Sequence, residues 1–354
     1  MHPFIYEAHA ARVVFGAGTV RQVGDEVERL GGTRALVLST PNQADAAERV
    51  AAQLGARSAG VHAGAVMHVP IEVARQAVAR ARETGADCMV AIGGGSTTGL
   101  AKAIALETGL PYIAIPTSYA GSEMTPIYGL TEGGQKRTGR DLRVLARAVI
   151  YDPELTIDLP PQLTVTSGLN AIAHAAEGLY ARDANPVMSL MAEEGIRALF
   201  EGIPAVVANP RDLAARAHCL YGAWLCGTVL GNVGMALHHK LCHTIGGSFD
   251  LPHAETHTIV LPHALAYNAV AVPDAMARIA RAIGGDAADV PGRLFDMAAR
   301  QGVPVALRDI GMRETDIEVA LERALANPYW NPRQIEREPL RALLQAAYAG
   351  TRPS

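Results

Sequence analysis

The sequence predicts a two-part fold: an N-terminal α/β domain built on a parallel sheet over residues 1–160, then an all-helical domain over 161–354. Three observations predict it. Short apolar strands alternate with helix-period segments as far as Ile150. Asp152-Pro153 and Leu159-Pro160-Pro161 then punctuate the chain. Beyond them helical periodicity takes over and the alternation stops.

The first strand is Arg12-Val13-Val14-Phe15, closed by Gly16-Ala17-Gly18, and Val20, Val23, Val27 and Leu30 recur at helical spacing until Gly31-Gly32. Ala35-Leu36-Val37-Leu38 reads as a buried strand, 46–54 as a helix and Gly60-Val61-His62 as a short strand. Val73, Ala77, Val78 and Ala81 line the next helix, and Cys88-Met89-Val90-Ala91-Ile92 is an apolar strand buried on both faces. Tyr112-Ile113-Ala114-Ile115 follows; Gly133-Gly134 suggests a hairpin and 144–150 a returning strand. In the second half, helices are expected at 163–180, 186–200, 213–230, 234–245, 273–283 and 335–348.

A chain of 354 residues with 49% hydrophobic and 19% charged residues has material for two cores. Its net charge of −4, with no block of basic residues, argues against a nucleic-acid groove or an anionic membrane surface. No apolar run reaches the roughly 20 residues of a membrane span. Cys88, Cys219, Cys226 and Cys242 form no CxxC pair, and Met1-His2-Pro3-Phe4 has no basic-then-apolar signal pattern. A cytoplasmic protein with reduced thiols, acting on small molecules, is expected.

Two polar loops leave strand ends. Gly93, Gly94, Gly95 and Ser96 follow the buried strand directly and lead into a helix, so close backbone approach and unpaired N–H groups coincide, as a pyrophosphate requires. The spacing is not GxGxxG. The second loop, Pro116 to Glu123, contains Thr117 and Ser118 at the same sheet edge. At the end of the second strand, Ser39-Thr40-Pro41-Asn42 lacks the carboxylate that would bind an adenosine ribose and repel a 2′-phosphate. NADH is therefore expected to serve, with NADPH tolerated.

His239 and His243 share a helix face, and His253 returns beyond the glycine break expected at Gly246-Gly247. His238, His257 and His263 lie nearby, and isolated histidines of that kind are usually core or surface residues. Asn170, His174 and Glu177 fall at i, i+4 and i+7 of one helix, a polar stripe expected to face the His239 cluster. Cys242, between two histidines, is expected to pack rather than react.

Phe15-Gly16-Ala17-Gly18, Gly93-Gly94-Gly95-Ser96, Pro116-Thr117-Ser118, Gly121-Ser122-Glu123, Asp152-Pro153, His174 and the downstream histidines occur together and in order. In this the chain resembles the iron-containing alcohol dehydrogenase family over essentially its whole length. The resemblance implies a dehydroquinate synthase-like nucleotide-binding domain, a helical domain, an active site in the cleft between them, and homodimers. Pro3-Phe4 ahead of the first strand, Met67-His68-Val69-Pro70 and Asn327-Pro328-Tyr329-Trp330-Asn331-Pro332-Arg333 resemble its maleylacetate reductase branch, which reduces the carbon–carbon double bond of maleylacetate to 3-oxoadipate in aromatic-compound catabolism.

The family holds Fe or Zn with one Asp and three His, and the matching positions here are Asn170, His174, His239 and His253. The anionic ligand is missing, so metal-free function is expected. His243 is then expected as proton donor or oxyanion partner beside the nicotinamide, with His174, His239 and His253 as catalytic donors to the substrate. Asn170 and Arg333 are expected to contact the dicarboxylate. An acid usual after the glycine loop is Gly99 here, while Lys102 keeps its place as a cofactor contact. The competing readings are a metal-dependent dehydrogenase of small alcohols or aldehydes, and a non-catalytic nucleotide-binding protein.

Overall fold

A computed structural model describes the chain apart from residues 1–3, 5, 8–11, 134, 327 and 328. Pro3, Gly134, Asn327 and Pro328, quoted above, lie outside the described residues. The chain forms two compact units, one of Ala8–Leu159 with Arg211–Leu220, the other of Met1–Glu7, Pro160–Pro210 and Tyr221–Ser354. Arg211–Leu220 joins the first because Arg216, wholly buried, donates to the carbonyls of Ile157 and Leu159 at 3.2 and 3.0 Å.

The first unit contains β1 (Arg12–Phe15), α1 (Val23–Arg29), β2 (Ala35–Leu38), α2 (Ala44–Leu54), β3 (Ser58–His62), α3 (Ile71–Glu83), β4 (Cys88–Gly93), α4 (Gly95–Thr108), β5 (Tyr112–Pro116), the hairpin β6 (Ile127–Glu132) and β7 (Gln135–Arg140), and β8 (Ala148–Tyr151). Six strands make one sheet in the order β1-β8-β5-β4-β2-β3, every pairing parallel. β2, β4, β5 and β8 are buried along their whole length, as crossover helices on both faces require. From β2 the chain moves outward to β3, then returns to lay β4 on the other side of β2. That reversal is a topological switch point, where open α/β sheets bind ligands beyond the carboxyl ends of their strands.

The expected returning strand is shorter than 144–150, since Leu142–Val144 forms a 3-10 turn first. The Gly16-Ala17-Gly18 and Asp152-Pro153 motifs explain each other: Asp152, wholly buried, accepts from the N–H groups of Gly18 and Val20 at 3.0 Å each.

The second unit is helical: α5 (Pro161–Leu179), α6 (Pro186–Ala208), α7 (Leu213–Asn232, whose start belongs to the first unit), α8 (Leu237–Phe249), α9 (His253–Asn268), α10 (Pro273–Ile283), α11 (Val290–Arg300), α12 (Asp316–Ala326) and α13 (Arg337–Ala349). Gly246-Gly247 does not break α8; the turn comes at Asp250, in the left-handed region at φ 52°. α9 has no sequence signature because it is buried almost all round and carries Pro262, so no apolar face stands out. Among the described residues no single helix is long and apolar enough to cross a membrane.

Candidate active site

In the first unit, the expected glycine loop is tighter than a loop. Gly94 is the N-cap of α4 with no side-chain cap, so Gly95 and Ser96 form the helix's first turn and leave their N–H groups available. Gly93 sits at φ 154°, where a Cβ would fall 2.3 Å from Thr97 Oγ1 and 2.8 Å from Gln43 Oε1. A Cβ on Gly94 would meet Ser118 Oγ at 3.0 Å. Gln43 Nε2 donates to Thr117 Oγ1 at 2.7 Å, and the Thr117 N–H donates to the Gly93 carbonyl at 3.1 Å. The loops after β2, β4 and β5 therefore form one bonded cradle. Buried Ser39 Oγ and Thr97 Oγ1 have no partner among the described residues. Backbone donors and unpartnered hydroxyls suit a dinucleotide phosphate, and the glycines let the three loops pack this closely.

Lys102 is a correction. Its ammonium is 1% exposed and donates to the carbonyls of Ser122, Thr125 and Ile127 at 2.7, 2.9 and 2.6 Å and to Thr125 Oγ1 at 2.9 Å. Burial lowers its pKa to about 7, opposed by nearby Glu123. It fastens the segment after β5 rather than meeting a phosphate. The acid missing at Gly99 also has a steric account: a Cβ there would lie 2.7 Å from Val69 Cγ2. His68 and Val69 hold φ 64° and 44°, strained for a β-branched residue, and Thr131 pins them by donating to both carbonyls at 2.7 and 3.1 Å.

In the second unit, α5, α8 and α9 bring the expected histidines together. Glu177, at the end of the α5 stripe, is wholly buried and accepts from the N–H groups of Ala236 and His238 at 2.8 and 2.7 Å and from His239 Nδ1 at 2.8 Å. It caps α8 from another helix and fixes the His239 tautomer, leaving Nε2 as a buried lone pair without a partner. The His174 and His239 rings lie 5.1 Å apart, and His243 lies 6.2 Å from His239. Asn170 Oδ1 and His174 Nδ1 are likewise buried without partners among the described residues.

At the centre stands His257, passed over in the sequence. Its ring is 4.2 Å from that of His253, 5.1 Å from His239, 4.9 Å from His238 and 6.3 Å from His243, and its Nδ1 shares a hydrogen bond of 3.0 Å with His238 Nε2. The spacing of His253 and His257 on α9 is the signal that marks it. Cys242 packs, with Sγ 3.7 Å from His238 Nε2, and burial raises its thiol pKa well above the usual range. Arg333 is a second correction: it donates to the Tyr267 carbonyl at 2.7 Å and stacks 4.3 Å from that ring. Asn331 bonds Asn268 and the Leu237 N–H, so this segment latches α8 to α9.

Burial, reinforced by neighbouring imidazoles, holds His174, His238 and His257 well below the usual imidazole range; burial alone brings His263 to about 4. Folded values below the unfolded one mean that the unfolded chain takes up protons first. Stability is then full above the unfolded value near 6.5 and is lost as pH falls towards 4, by up to ~1.4 kcal/mol per pH unit for each group. We expect the thermal midpoint to drop between pH 7 and 5; a flat profile would contradict neutral burial.

Residues 10–153 match the family described as iron-containing alcohol dehydrogenase, and residues 164–348 match the C-terminal part of the Fe-containing alcohol dehydrogenase family. The chain belongs to the iron-containing alcohol dehydrogenase family. It is 62% identical to a maleylacetate reductase of Burkholderia cepacia across all of both chains. The crystal structure of maleylacetate reductase from Rhizobium sp. strain MTP-10005 matches at a TM-score of 0.96 and 56% identity, and that of a protein provisionally named an alcohol dehydrogenase, from Ralstonia eutropha JMP134, at 0.98 and 76%. Both cover the whole of each chain.

The donor set does not fit the iron that gives this family its name. Asn170 offers a neutral amide oxygen where the family pattern has an acid, and both oxygens of Glu177, two turns further along α5 and wholly buried, are committed to N–H groups. His238, His239 and His257 bring nitrogens within 4.8 Å of one another, but His238 and His257 use theirs on each other. A divalent ion there would keep its full charge in a desolvated setting.

Proposed function

We propose that the protein is a maleylacetate reductase, reducing the carbon–carbon double bond of maleylacetate to give 3-oxoadipate in aromatic-compound catabolism. The carrying observation is the 62% identity, over the full length of both chains, with a protein of that activity. The uncharged donor set around Asn170 supports it. Carbonyl reduction builds an alkoxide, whereas hydride addition to an enone leaves an enolate spread over three atoms, which hydrogen bonds and one acid can stabilise.

NADH, with NADPH tolerated, supplies the hydride when bound at the cradle of Gly93, Gly94, Gly95, Ser96, Thr117 and Ser118, with Ser39 and Thr40 towards the ribose. The absence of a carboxylate in Ser39-Thr40-Pro41-Asn42 supports the tolerance. His243 delivers the proton to the enolate carbon. His174 and His253 donate to the keto oxygen or a carboxylate, and Asn170 orients the substrate. For His239 this corrects the donor role expected from the sequence: with its Nδ1 proton on Glu177, the neutral ring presents a lone pair at Nε2 and aligns a neighbouring donor. Metal-free action in a cytoplasmic homodimer completes the reading; four free, buried cysteines are compatible with a reducing compartment.

The experiment is maleylacetate-dependent oxidation of NADH by protein stripped with a chelator. Undiminished turnover is expected. Silence that added Fe or Zn reverses would move the protein to the metal-dependent alcohol dehydrogenases.

A further inference from the structure

A dicarboxylate substrate brings two negative charges, and the residue first expected to meet one, Arg333, is committed to Tyr267. Several other arginines of the second unit are held by acids, Arg278 and Arg281 by Glu193, Arg313 by Asp316 and Arg341 by Glu318. Lysine is scarce, with three among 31 lysines and arginines: Lys102, Lys136 and Lys240. Lys102 is tied to carbonyls.

Lys240 sits on α8 directly after His239 and one turn before His243, so it shares a face with the proposed acid. It is half-buried, and among the described residues its ammonium makes no hydrogen bond or ion pair. Its polar contact is the face of the Tyr329 ring, 5.3 Å from the centroid. The Tyr329 hydroxyl is itself buried with no partner among the described residues. A half-buried cation and a buried phenol donor without an acceptor thus stand together, the cation on the helix that carries His239 and His243. A buried donor left unpaired is costly, and a ligand acceptor removes that cost.

We propose that Lys240 and the Tyr329 hydroxyl form a carboxylate subsite that holds one end of the dicarboxylate. This rests on the maleylacetate reductase reading. Lysine suits the role as a compact point charge on a flexible stem, whereas the planar fork of arginine would stack on the tyrosine, as Arg333 does on Tyr267.

The test compares Lys240→Met, which keeps the stem against Tyr329, with Lys240→Arg and Tyr329→Phe, using maleylacetate and 4-oxopent-2-enoate, the enone lacking the keto-side carboxylate. With maleylacetate, Lys240→Met should raise KM about tenfold or more, with kcat, the KM for NADH and the thermal midpoint changing little. Lys240→Arg should recover part of the loss, and Tyr329→Phe should show a smaller rise. A loss confined to maleylacetate places the subsite at the keto-side carboxylate; an equal loss with both substrates places it at the other. A wild-type KM in Lys240→Met overturns the subsite while leaving the function intact. Failure of the wild type to reduce maleylacetate overturns the function, and the subsite with it.

Discussion

Glu177→Gln should lower kcat by two orders of magnitude or more while leaving most of the fold's stability in place. A glutamine retains one oxygen for the His238 N–H but turns an N–H₂ towards the position that now accepts from Ala236 N–H and His239 Nδ1. Two donors would then face two more, and the imidazole relieves its share by moving its proton to Nε2. His239 would present a proton where it now presents a lone pair. Glu177→Ala goes further, leaving the start of α8 without an acceptor, at about 1–3 kcal/mol per buried orphan group. Steady-state kinetics with a melting curve separates the two variants. If Glu177→Gln turned over maleylacetate at the wild-type rate, the tautomer of His239 would be irrelevant to the reaction.

The second large effect is a gain. Asn170→Asp places an anionic oxygen where a partnerless amide oxygen now stands, one helical turn from His174, whose Nδ1 is also partnerless. Affinity for Zn or Fe(II) should rise a hundredfold or more over wild type, read by titration against a chelator of known affinity, with one equivalent retained through gel filtration. Without metal, the same variant should lose activity, because the new carboxylate is buried among groups that do not neutralise it. Equal metal affinity in wild type and variant would show that the amide is not what weakens the site.

The parallel sheet and its edge loops were legible because uninterrupted apolar strands and glycine-rich exits leave a local signature: β4 and the start of α4 follow from Cys88 to Ser96 almost residue by residue. The histidine cluster was legible only through helical spacing. His174, Glu177, His239 and His243 are visible on their faces, but His257 looks like any core histidine, since α9 is buried almost all round. Lys102 and Arg333 differ from the sequence expectation for one reason. A cation near a motif looks like a ligand contact, and the carbonyls that claim it, at Ser122, Thr125 and Ile127 or at Tyr267, come from turns and helix ends with no residue-type signature. Asp152 is the opposite case: its partners Gly18 and Val20 are over 130 positions away, and residue identity alone does not give that pairing.

The contact between Gly99 and Val69 limits which sequences this fold can reach by single steps. Val69 Cγ2 stands where a first side-chain carbon at position 99 would go, and the strained His68-Val69 pair is clamped from behind by Thr131. A side chain at position 99 requires Val69 to move or shorten, and shortening Val69 alone removes packing over α4. The two positions are therefore epistatic: each exchange is unfavourable alone and tolerable together. A library varying position 99 by itself should favour glycine, while one that also varies 68–70 should admit larger residues there.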